Sequence, residues 1–100
     1  MKTDLISMVE IDAEGRLHLV PESCSFPYIY REAMEVHWDT ERCSLYSPKP
    51  RKWDYERWFS QILEAAKEQG VDLNITETTR WRNITNVLKE AICHAHTSSS

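Results

Sequence analysis

The feature that most constrains the fold is a change of hydrophobic period halfway along the chain. Up to Tyr46 apolar residues recur mainly at every second position, the repeat of half-buried strands. After a proline-bearing connector at 47–52 they recur at helical spacing. In a chain of 100 residues, enough for a single core, this order predicts one domain over 1–100, with 93–100 as a frayed tail. Strands gathered before helices imply an α+β fold, an antiparallel sheet of about five strands with an amphipathic helix packed on one face and a C-terminal helix.

The segments follow from local patterns. Residues 5–11 (LISMVEI) read as a strand ending in the turn 12–15, where Gly15 supplies positive φ, and 16–20 (RLHLV) as its hairpin partner. A loop with two prolines covers 21–27, and 28–30 reads as a short strand. In the next segment Met34, Val36 and Trp38 alternate with Glu35, His37 and Asp39, and 43–46 continues the period after a polar turn; 31–36 also carries helix-forming residues. Trp58, Phe59, Ile62, Leu63 and Ala66 form one helical stripe, with Asp54 as N-cap and Gly70 as stop. Residues 71–75 alternate again. Thr78 or Thr79 is then expected to cap a second helix burying Trp81, Ile84, Val87 or Leu88, and Ala91 or Ile92.

Charge is uneven. Residues 1–41 hold nine acids and three bases, whereas 42–100 hold nine bases and seven acids. An acidic first part disfavours nucleic acid and favours a basic protein partner. Arg80-Trp81-Arg82 and 49–53 do interleave cations with aromatics, the pattern of single-strand binding, but Trp81 is needed in the expected core stripe. The two glycines exclude the Gly-rich phosphate cradles of nucleotide enzymes. The N-terminal residues lack a signal-peptide pattern and no apolar run reaches about 18 residues, so a cytoplasmic location without membrane insertion is expected. Cys24, Cys43 and Cys93 show no paired spacing and are expected as thiols. Asn74-Ile-Thr76 and Asn83-Ile-Thr85 match the glycosylation sequon by chance in such a chain.

Candidate chemistry is sparse. Cys93 and His96 would share a helix face, but His94 would not, and a zinc set is not complete. Nucleophile motifs are absent, so no catalytic residue, cofactor or metal is assigned. Glu35, His37 and Asp39, on one predicted strand face, form the candidate partner-binding row. The alternative is a small-molecule module or minor enzyme with an aromatic pocket of Trp38, Tyr46 and Trp58 between sheet and helix. A homodimer through the uncovered sheet face or an exposed tryptophan is also expected.

A strand reaching Trp38-Asp39, a connector with Pro48 and Pro50, an amphipathic helix ending in Glu-Gln-Gly70 and a short closing strand resemble small proteins carried on integron gene cassettes, grouped with bacterial toxin immunity proteins. The resemblance spans about 29–75. Prolines follow the Trp-Asp pair more closely in that family than here, and the region after Ile75 has no counterpart in it. It implies an α+β fold, no catalytic residues and a role in binding and neutralising a toxin, and it carries no functional residue across. The function expected is therefore a small non-enzymatic binding protein.

Overall fold

The computed structural model describes residues 2–29, 35–47 and 54–96. Tyr30, residues 31–34 of the alternative helix at 31–36 (Met34 among them), Pro48, Pro50, the cluster at 49–53 and the tail at 97–100 lie outside the described residues.

The described elements are β1 (Lys2–Ile11), β2 (Leu17–Pro21), β3 (His37–Asp39), β4 (Ser44–Tyr46), α1 (Tyr55–Glu68), β5 (Val71–Asn74), β6 (Arg80–Arg82) and α2 (Asn86–His96). The strands form one sheet in the order β3-β4-β2-β1-β5, with β6 also paired to β1. The expected α+β architecture is present, with a mixed sheet in place of an antiparallel one. β1–β2, β2–β4 and β3–β4 are antiparallel, but β5 and β6 both run parallel to β1. Two antiparallel steps make β4 parallel to β1, and α1 then acts as a crossover that returns the chain to the same end of the sheet. Alternation within a strand fixes its faces and not its direction, so this was hidden in the pattern.

The long strand β1 holds the sheet together. One edge pairs with β2, and the other carries β5 along Lys2–Leu5 and β6 along Met8–Glu10. A bulge between Ile6 and Met8 separates the two stretches. Val9, Leu19, Leu45 and Trp38 lie opposite one another in register and face the helices. Against them α1 buries Trp58, Phe59, Ile62, Ala65 and Ala66. Asp54 caps that helix, its Oδ1 accepting from the Arg57 amide at 2.8 Å. Gly70 ends it at φ +84°, donating its N–H to Lys67 O.

Four local expectations are corrected. The stretch at 28–30 does not form a strand in its described part, because Ile29 N–H turns back to Phe26 O. Glu35 and Cys43 adopt φ 69° and 54°, so the second hairpin shrinks to three residues on each side. The second helix starts at Asn86, and the Thr85 hydroxyl accepts from the Leu88 amide, placing the cap six residues beyond Thr79. Trp81 consequently lies in β6 opposite Val9, and Val87 is exposed. The tail expected from residue 93 is helical as far as His96.

Candidate functional site

The face of the sheet away from the helices is polar, and among the described residues no helix covers it. The register sets His37, Tyr46, His18, Glu10 and Arg82 in one row across five strands. Beside it lie Asp39 and Ser44, a pair on β3 and β4. Most of these side chains are exposed or half-buried, but His18 and Ser44 are 1% and 0% exposed.

Burial of those two is matched by hydrogen bonding. His18 Nε2 lies 2.7 Å from Asp12 Oδ2, and His18 Nδ1 lies 2.8 Å from Ser44 Oγ. An ionised carboxylate only accepts, so Nε2 carries the proton, and in the neutral ring Nδ1 accepts from the Ser44 hydroxyl. Asp12 also accepts from the Glu14 and Arg16 amides and from Arg16 Nε, each at 2.9 Å. Burial alone would push its pKa up; the bonds from His18, Arg16 and Glu14 outweigh burial and hold it far below the usual carboxylate range. Tyr46 stacks on His18 with centroids 5.2 Å apart and leans on His37 at 5.3 Å. The Arg16 guanidinium sits 5.2 Å from the Tyr46 ring centre, and Arg42 reaches Glu10 at 3.1 Å.

Asp12, His18 and Ser44 thus stand in the bonding order of a nucleophilic triad, which the sequence reading missed. Their spacing has no motif, and the burial of His18 depends on residues far along the chain. With Ser44 fully buried on a strand, its hydroxyl presents no nucleophile to a substrate in this conformation. What the network can do is fix the register of β2 against β4 and hold Tyr46 in place.

The sequence-derived candidates are only partly brought together. His37 and Asp39 share a face of β3, His37 exposed and Asp39 half-buried. Asp39 Oδ1 accepts from the Glu41 and Arg42 amides, and these bonds, the Arg42 one foremost, lower its pKa. Glu35 is exposed in the turn ahead of β3 and so leaves the row. The pocket of Trp38, Tyr46 and Trp58 does not assemble. Trp38 is opposite Leu45 on the helix side, edge-on to Phe26 at 5.8 Å, while Tyr46 points from the other face and Trp58 is buried on α1. Cys24, Cys43 and Cys93 form no disulfide with one another. Among the described residues no three His, Cys, Asp or Glu side chains are grouped to hold a metal, and no helix is long and apolar enough to cross a membrane.

Fold and face together define a small α+β domain, a mixed six-stranded sheet with its helices on one side and a polar network on the other. The chain belongs to the family of Integron Cassette Protein Hfx_Cass5, whose profile matches residues 4–79. It is similar to a solved structure, the integron cassette protein Hfx_Cass5 from the mobile metagenome of the North West Arm sewage outfall. The two are 49% identical over 95% of this chain and 96% of that one, with a TM-score of 0.50. Comparison with curated proteins gives no match. The family match extends the resemblance at 29–75 back over the first hairpin. Most of the region after Ile75, for which no counterpart was expected, is also covered by the solved relative.

Proposed function

We propose that this cassette protein works by non-catalytic binding of a basic protein partner, as an immunity-type inhibitor of a basic toxin would. The observation that carries the reading is the sheet face that no helix covers among the described residues. Its Tyr46 stacks between His37 and a hydrogen-bonded His18, and Glu14, Glu35 and Glu41 stand exposed on the adjoining turns. A prearranged surface with acidic margins lowers the ordering cost of association and steers a cationic partner. Buried Ser44 supports a role without catalysis.

The test is the association rate of wild type and a Glu35→Lys/Glu41→Lys variant with a panel of basic toxins at two ionic strengths. Slower association with weaker salt dependence in the variant is expected. Equal rates would remove this face from the reading.

A homodimer is the second arrangement, favoured by the position of β3 at the sheet edge. Antiparallel pairing of two copies about Trp38 would set His37 of each against Asp39 of the other. Sedimentation velocity across a concentration series decides it, and a monomer throughout removes it.

A further inference from the structure

Away from the polar face, a groove of about 350 Å³ runs between the β5–β6 link and α2. It is lined by Ile75, Thr76, Glu77, Thr79, Trp81, Lys89 and Cys93. Its volume lies at the lower end of small-ligand sites. One wall is firmly built. The Thr76 amide donates to Thr79 Oγ1 at 2.9 Å, Thr79 Oγ1 donates to Ile6 O at 2.7 Å, and the Thr76 and Thr78 hydroxyls lie 2.8 Å apart. Trp81 is fixed by the pairing of β6 with β1. On the opposite wall Lys89 and Cys93 are one helical turn apart, so both reach the groove from α2.

The charges on the two walls are opposite. Glu77 and Lys89 are both exposed, and neither has an ion-pair partner among the described residues. The Lys89 ammonium stands 5.9 Å from the centre of the Trp81 ring, which keeps the cation beside the apolar floor of Ile75 and Trp81. One acidic and one basic residue lining a groove that also holds Ile75 and Trp81 match a ligand carrying both charges and an apolar side chain. We propose that this groove binds a small zwitterion of that kind, the chemistry of a free α-amino acid with an apolar or aromatic side chain. The ligand carboxylate pairs with Lys89, its ammonium with Glu77, and its side chain covers Ile75 and Trp81. The inference is independent of the sheet face and its partner.

Calorimetric titration of the intact protein with L-phenylalanine and with N-acetyl-L-phenylalanine, which lacks the ammonium, tests it. Saturable binding of phenylalanine is expected, weakened about tenfold by Glu77→Gln and by Lys89→Gln, the effect of losing one charge-assisted contact. The acetylated compound should bind more weakly, respond to Lys89→Gln and ignore Glu77→Gln. In wild type, alkylation of Cys93, followed by peptide mass spectrometry, should slow when phenylalanine is bound, a readout that needs no variant. Absence of saturable binding at millimolar phenylalanine would overturn the proposal, as would binding that both variants leave unchanged or that gives Cys93 no protection.

Discussion

Asp12 Oδ2 lies 2.7 Å from His18 Nε2, both side chains are buried, and the far nitrogen of the same ring meets Ser44. One imidazole therefore links the first turn, β2 and β4. His18→Leu would leave a buried carboxylate short of a donor and Ser44 short of an acceptor, at a cost of about 2–3 kcal/mol. Ser44→Ala removes one bond only and should cost about 1 kcal/mol. Urea unfolding at an unchanged m-value checks the ranking, and equal losses would deny the carboxylate contact its weight.

Acid should destabilise the fold through Asp4. Burial raises its pKa, but the Cys24 and Ser23 amides and the Ser23 hydroxyl outweigh burial and bring it from its ordinary value of 3.8 to about 2. As pH falls the unfolded chain takes up this proton first. The contribution is complete above about pH 5 and is lost as pH falls toward 2, amounting to about 2 kcal/mol. Asp12, lowered in the same direction, adds to the loss. Asp4→Asn should be less stable at pH 7 yet show a shallower decline between pH 5 and 2, measured by urea unfolding at each pH. Parallel declines in both proteins would exclude Asp4 as a source.

Gly70 isolates backbone strain from crowding. Its φ is +84°, and a Cβ there would meet nothing within 4 Å. Gly70→Ala should cost about 1 kcal/mol from the left-handed conformation alone. For a chain of this size that is a fall in Tm of about 5 °C by calorimetry.

Thr79 tests the junction between β1 and β6. Its hydroxyl donates to Ile6 O next to the bulge and accepts from the Thr76 amide. Thr79→Val keeps the shape and removes both bonds, an expected loss of about 2 kcal/mol, while Thr79→Ser should recover most of it. If Ser and Val variants unfold at the same urea concentration, shape and not the hydroxyl secures the junction.

Period-based reading located α1 well because its stripe, cap and stop are all local: Asp54, Phe59, Ile62 and Gly70 each do what neighbouring residues dictate. It misplaced Trp81 because Trp81, Ile84, Leu88 and Ile92 keep helical spacing although only the last two lie in α2. What extends 80–82 is pairing with β1, more than 70 residues earlier. The candidate row at Glu35, His37 and Asp39 lost one member to a single left-handed residue, which alternation does not register. Asp12, His18 and Ser44 escaped notice for the same reason as Trp81: the contacts that define them are tertiary.

The placement of β1 also bears on how the chain assembles during synthesis. β1 can pair with β2 as soon as the short hairpin has been made, but its opposite edge finds β5 and β6 only once residues 71–82 have emerged. Until then β1 carries an unsatisfied edge, open to pairing with another nascent chain. Among the described strands the β1–β6 pairing spans the greatest sequence separation, the kind of contact whose loop-closure entropy slows folding.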